Sequence, residues 1–167
     1  MIACLDVQYT DDRVLAACVV FRGWKAEKPL TETVVAIEGV AAYEPGQFYR
    51  RELPCLLRAL EGISPDIIIV DGYVWLGGED HPGLGAHLYE AWGRRAVVVG
   101  VAKTRFHSAT LAVPVCRGES RSPLYVTAVG MDANQAAECV AGMNGPYRVP
   151  NLLKRVDQLC RGMVAAS

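Results

Sequence analysis

Five charged side chains are spaced so that a folded sheet could bring them to one place: Asp6, Glu52, Asp71, Lys103 and Asp157. Asp6 interrupts the apolar run Ile2 to Tyr9, and Asp71 closes Ile67-Ile68-Ile69-Val70, a run opened by Pro65-Asp66 and followed by Gly72. Four β-branched aliphatics without a polar break are too few for a helix and too apolar for an edge strand. They read as a central strand buried on both faces. Ligands of α/β sheets gather outside the carboxyl ends of such strands. Asp71 therefore has two readings, a ligand-facing acid or a strand-ending turn cap. Acids that converge in a half-buried place repel one another and need cations between them. Oxygen donors without His or Cys companions suit Mg²⁺, with Mn²⁺ as a substitute, rather than zinc. Such ions activate water and polarise a phosphodiester. Lys103 ends the run Val98-Val99-Gly100-Val101-Ala102. On the same rim it could pair with a phosphate or a departing oxyanion, or stand in water.

The elements that must position these groups follow from periodicity. Ile2 to Tyr9, Arg13 to Phe21 and Thr31 to Ile37 read as an antiparallel meander. Gln47 to Leu60 reads as a helix carrying Glu52, with Phe48, Leu53, Leu56, Leu57 and Leu60 on its apolar face. Pro54 would kink it or start a second helix. The Asp71 strand follows, then a glycine-rich loop to Gly85 and a helix to Trp92. Ala96 to Val101 reads as a strand parallel to the Asp71 strand through a βαβ crossover. Ala109 to Cys116 and Pro123 to Val129 are two more expected strands. Asp132 to Met143 and Asn151 to Val164 are expected helices, with Asn151 as the N-cap of the second. The order predicts a single domain over 1–167 with an α/β, ribonuclease H-like mixed sheet: three antiparallel strands, then parallel βα units, flanked by helices. In that topology the first and fourth strands are neighbours. Asp6 and Asp71 then stand side by side, and Asp157 folds back over the sheet.

Composition narrows the class. A hydrophobic share of 51% supplies a core, and no apolar run reaches the roughly 18 residues of a membrane span. The N-terminus meets an acid at once and reads as a first strand rather than a signal peptide. No two of the six cysteines form a Cys-x-x-Cys pair, so they read as reduced core residues of a cytoplasmic protein, and zinc has no paired ligands. The net charge of −1 hides an asymmetry: residues 1–93 hold 7 Lys/Arg against 14 Asp/Glu, and residues 94–167 hold 10 against 4. An acidic half can hold cations and a basic half phosphates, or the imbalance is surface charge that folding redistributes.

Several motifs resemble the endonuclease V family, the inosine-directed nucleases of the ribonuclease H-like fold. Leu5-Asp6-Val7 resembles its first acidic strand. Tyr43-Glu44-Pro45-Gly46-Gln47-Phe48-Tyr49-Arg50-Arg51-Glu52-Leu53-Pro54 is similar to Y-x-P-G-x-L-x-F-R-E-x-P. Pro65-Asp66 through Asp71-Gly72 is similar to a P-D, apolar, D-G strand, and Gly83-Leu84-Gly85-Ala86-His87-Leu88 to G-L-A-S-H-L. Gly100-Val101-Ala102-Lys103 matches G-V-A-K, and Pro123-Leu124-Tyr125-Val126 resembles P-L-Y-V. Tyr147-Arg148-Val149-Pro150 and Arg155-Val156-Asp157 resemble Y-R-L-P and R-L-A-D.

The resemblance implies that Asp6, Glu52, Asp71 and Asp157 hold the metal, with Lys103 as the catalytic lysine. It implies that Tyr43 and Pro45 form a wedge beside the target base. Gly46, Phe48, Gly72 and Gly100 would then form a pocket that reads hypoxanthine through main-chain groups, with His81 and His87 as further substrate contacts. Glycines let a backbone approach a flat base, and chemistry directed by a damaged base flips it out. The implied activity is a divalent-metal-dependent endonuclease cutting a phosphodiester 3′ to a deaminated purine in DNA or RNA, in nucleic-acid repair or processing; a monomer is expected, though no residue pattern fixes the oligomeric state. The loop from Tyr73 to Gly83 departs from the family's D-G-x-G-x-x-H-P-R, and Arg50 stands where an aromatic is usual. That departure keeps two alternatives: a nucleic-acid-binding relative with weak catalysis, and a nuclease for branched or mismatched strands. Tyr73 and Trp75 are then either stacking surfaces or packing for the loop.

Overall fold

The structure is a computed structural model that describes residues 1–10, 13–38 and 48–166; the side chain of Phe48 lies outside the described residues. Its elements are β1 (Ile2–Tyr9), β2 (Val14–Phe21), β3 (Thr31–Ile37), α1 (Phe48–Ala59), β4 (Ile67–Asp71), α2 (Leu84–Ala91), β5 (Val97–Ala102), β6 (Val113–Val115), β7 (Leu124–Val129), α3 (Ala133–Ala141) and α4 (Asn151–Cys160). They build one sheet in the order β3-β2-β1-β4-β5-β7-β6. The opening meander is antiparallel. β4 lies parallel to both β1 and β5, and β7 returns antiparallel along β5. This is the mixed α/β sheet expected from the order of elements.

Alternation along the strands explains the layers, because successive side chains point to opposite faces. Leu5, Ile68, Val70 and Val98 pack with Cys55 and Leu56 of α1, with Leu60 just past its end, and with Leu88 of α2. Cys4, Ile69, Val99 and Val101 pack with Ala136 and Val140 of α3 and with Leu152, Val156 and Leu159 of α4. The central strands are apolar on both faces because both faces are covered. Among the described residues, no helix is long and apolar enough to cross a membrane.

Four local expectations change. The strand expected over Ala109–Cys116 shrinks to Val113–Val115. Its first half folds into turns, with the Ala109 and Ala112 amides donating to the Phe106 and Ala109 carbonyls at 3.0 and 3.2 Å. α1 runs as one helix through Pro54 rather than restarting there. Pro150, not Asn151, is the N-cap of α4, and the Asn151 side chain turns back to Asn144 at 3.1 Å. α4 ends at Cys160 rather than Val164 because Gly162 adopts φ +72°, the left-handed stop that lets the Met163 amide reach the Gln158 carbonyl at 2.9 Å. No cysteine is bonded to another, but only Cys4, Cys18, Cys55 and Cys160 are buried; Cys116 is exposed and Cys139 half-buried.

Gly100 shows how closely the strand ends pack. A Cβ there would lie 2.5 Å from the Gly72 carbonyl oxygen and 2.8 Å from Thr127 Oγ1. Gly100→Ala is expected to cost about 1–3 kcal/mol of stability through overpacking. Urea unfolding followed by circular dichroism reads that loss, and a variant as stable as the parent would show that the Gly72 backbone can retreat freely.

Candidate active site

Pairing fixes where the acids emerge. Leu5 lies opposite Val70 in the last pair of β1 with β4, so Asp6 and Asp71 are the next residues along neighbouring parallel strands. Asp71 in turn lies opposite Val101 of β5. Each charged residue stands two positions beyond a core residue on the α4-covered face: Asp6 after Cys4, Asp71 after Ile69, Lys103 after Val101. The period of two therefore aims all three the same way. They line one cavity together with Leu124, Val149, Leu153 and Val156. The Lys103 ammonium stands 3.5 Å from Asp71 Oδ2.

Asp157 arrives from α4. Leu152, Val156, Leu159 and Cys160 anchor that helix in the core. Arg155 ties it to β3 through a two-pronged ion pair with buried Glu32, at 2.5 and 3.2 Å. Asp157 accepts from Arg161 Nε at 2.9 Å, one turn further on. Among the described residues, donor atoms of Asp6, Asp157 and Cys160 all lie within 4.8 Å of one another. Glu52 is half-buried on α1 and borders a second cavity together with Asp71 and Gly72.

The electrostatics show acids crowded out of water. Burial first, then the charge of Asp71 and the contact with Asp157, raises Asp6 to about 7. Burial first, then Asp6 and Asp71, raises Glu52 to about 8. Burial also pushes Asp157 upward, but the hydrogen bond from Arg161, the charge of Lys103 and the hydrogen bond with Asp6 outweigh it and hold this acid below its ordinary range. Of these two neighbouring acids, Asp6 is the one pushed upward and Asp157 the one held down. Burial, then Asp6 and Asp157, drives the Cys160 thiol far above its ordinary value. Its Sγ is turned to the Asp157 carbonyl at 3.2 Å, and the remaining donors are carboxylate oxygens. Such a set fits a hard divalent cation, whose charge would relieve the repulsion that raises Asp6 and Glu52.

The second cavity, about 320 Å³, is lined by Tyr49, Glu52, Asp71, Gly72, Tyr73, Leu76, Pro82, Gly83 and Leu84. It is apolar with two acids at one wall, and Gly72 at φ +131° takes a conformation that a side chain would strain. Of the sequence-derived pocket residues, Gly72 lines this cavity, and buried Gly100 packs directly beneath it. His87 stacks on Tyr49 with ring centroids 3.6 Å apart, behind the lining. His81 is exposed, pairs with Asp80 at 3.0 Å and does not reach the cavity. Tyr43, Pro45 and Gly46 lie outside the described residues, as does the Phe48 side chain.

Sequence reading passed over four residues at the site. Arg161 could have been found from its spacing, since a base four residues after an acid on a helix faces it. Arg148 holds the Lys103 carbonyl at 2.5 Å across 45 residues, and no local signal marks that contact. Tyr49 and Cys160 reach the site through the turn of their helices. Trp75 is packing rather than a stacking surface, its indole donating to the Ala128 carbonyl at 3.1 Å.

The sequence and the fold both recur in known proteins. The family model described as Endonuclease V matches residues 1–131. An Endonuclease V from Streptomyces avermitilis is 31% identical over 94% of this chain and 77% of its own length. A crystal structure of Endonuclease V from that organism superposes with a TM-score of 0.74 at 27% identity, covering 97% of this chain and 80% of that one. A Ciona intestinalis Endonuclease V structure, in complex with a 23mer DNA containing an inosine followed by a ribo-adenosine, shares the fold with a TM-score of 0.79 at 17% identity, over 97% of this chain and 84% of that one. Matched along most of its length by family model, relative and fold, this chain belongs to the endonuclease V family.

Proposed function

We propose that this protein is a Mg²⁺-dependent endonuclease that hydrolyses a phosphodiester on the 3′ side of inosine in a nucleic-acid strand. The observation that carries the reading is the juxtaposition of Asp6, Asp71, Asp157 and Lys103 on one rim, with Glu52 and Asp71 shared by an adjoining pocket about the size of a base. Asp6, Glu52, Asp71 and Asp157 would hold the divalent ion. When bound, that ion supplies Lewis-acid charge and a water of lowered pKa. Lys103 places a fixed cation where negative charge gathers on the phosphate or on the leaving oxygen. Asp71 holds the ammonium in place at 3.5 Å. The pocket supports reading of a flipped purine, because Gly72 at its lip carries no side chain and admits close approach of a flat base. Within the family, the inosine-containing DNA bound to the Ciona protein supports this substrate class.

The test is a labelled strand with one inosine, beside the same strand with guanosine in its place. With Mg²⁺ the inosine strand is expected to give one product pair, cut one bond removed on the 3′ side, with 3′-hydroxyl and 5′-phosphate ends. DNA and RNA versions run in parallel assign the sugar. An inosine strand left intact, or both strands cut alike, would sink the assignment.

A further inference from the structure

The segment after Asp71, where the sequence departs most from the family pattern, is fastened at four points, three on the sheet and one on the chain just beyond it. The Gly72 amide donates to the Val101 carbonyl at 3.2 Å. The Val74 amide donates to Thr127 Oγ1 at 2.8 Å, and the Trp75 indole to the Ala128 carbonyl at 3.1 Å. The fourth point is the Tyr73 hydroxyl. It donates to the Thr104 carbonyl at 2.7 Å and accepts from the Phe106 amide at 3.1 Å. Tyr73 meanwhile lines the pocket, and its ring leans on the Phe106 ring, with centroids 6.1 Å apart.

Lys103 is the first residue after β5, just past the last sheet pair, Ala102 with Tyr125. Residues 104–108 are exposed and belong to no strand. Two long-range holds fix the chain here: Arg148 on the Lys103 carbonyl, and the Tyr73 hydroxyl on Thr104 and Phe106. The first comes from the segment before α4, the second from the pocket wall itself.

We propose that Tyr73 is a positioning residue that couples the pocket to Lys103: its ring shapes one wall, and its hydroxyl clamps the segment that carries the lysine. The proposal rests on the pocket and on Lys103 acting as described under the proposed function. A base seated against the ring bears on the same side chain that sets the lysine's backbone. Displacing a catalytic group by about 1 Å can cost on the order of 100-fold in rate.

Tyr73→Phe separates the two roles, because it keeps the ring and removes only the oxygen. The released Thr104 carbonyl is exposed and finds water, so folding should hold. Exchange of the Phe106 amide, followed by NMR, is expected to quicken about tenfold in the variant. The single-turnover cleavage rate at saturating enzyme is expected to fall about tenfold. Affinity for an uncut inosine strand in metal-free buffer is expected to stay within about twofold. Tyr73→Leu, which removes the wall, is expected to lose preference for inosine over guanosine as well. Unchanged Phe106 exchange overturns the clamp. So does a loss of rate matched by an equal loss of affinity, which would leave Tyr73 as wall alone. The exchange arm uses no substrate, so a parent protein that fails to cut inosine strands counts against the proposed function and still leaves the clamp decided.

Discussion

Asp71→Asn is expected to reduce the single-turnover cleavage rate by about 10³-fold or more while leaving affinity for an inosine strand within a fewfold. The substitution keeps the shape of the side chain and its place on the pocket wall. It removes the anionic oxygen at the point where β1, β4 and β5 converge, and with it the charge that holds Lys103 at 3.5 Å. An amide is a poor ligand for a hard cation and no counterion for an ammonium. Two functions are lost together, so the effect should exceed that of Lys103→Met. The two substitutions combined should cost much less than the product of their separate losses, because groups that act as a unit are not additive. A variant that retains a tenth of the parent rate would remove Asp71 from the chemistry.

The second large effect is on stability without metal. In the folded chain Asp6 titrates near 7 instead of 3.8, and Glu52 near 8 instead of 4.5. Between those limits the folded protein keeps protons that the unfolded chain has released. Raising the pH therefore favours unfolding, and the stability present below about pH 4 is lost by about pH 8. A three-unit shift corresponds to about 4 kcal/mol per group at most, and partial exposure and the interaction between the acids leave a net of a few kcal/mol. Asp157 runs the other way: its lowered pKa contributes stability above its unfolded value, which disappears as pH falls. Calorimetry in chelator should show a melting temperature that drops from weakly acid to weakly alkaline pH. Mg²⁺ should restore it at the alkaline end, and Asp6→Asn should flatten the slope and abolish most of the Mg²⁺ effect. A melting temperature that climbs with pH in chelator would contradict the crowded-acid account.

Much of this site was legible before any coordinates, for a physical reason. A two-residue period on a strand buried on both faces says which side each residue meets, so Asp6, Asp71 and Lys103 could be assigned one rim from their apolar neighbours. Topology then needed only the order of the elements. The parts that were not legible depend on distant partners. The path of the Gly72–Gly83 loop is set by Thr104, 31 residues beyond its partner, and by Thr127 and Ala128, each 53 residues beyond theirs. The turn at Ala109–Ala112 reads as a strand because its residues are apolar, yet its amides bond locally. At Pro150-Asn151 both residues can start a helix, and the Asn151 side chain bonds back to Asn144, seven residues earlier, instead of capping. The cysteines were read as core, which holds for Cys160, but the turn of α4 also brings its sulfur beside Asp6 and Asp157.

The central claim is that the carboxylates of β1, β4 and α4 form a divalent-metal centre beside a base pocket. Diffraction from crystals soaked in Mn²⁺, collected for anomalous signal, tests it most directly. The account predicts a peak between the Asp6 and Asp71 carboxylates, with oxygens at about 2–2.6 Å and Asp157 or Glu52 completing the set. No peak at that rim, or Asp6 and Asp71 carboxylates more than about 8 Å apart in the soaked crystal, would contradict it.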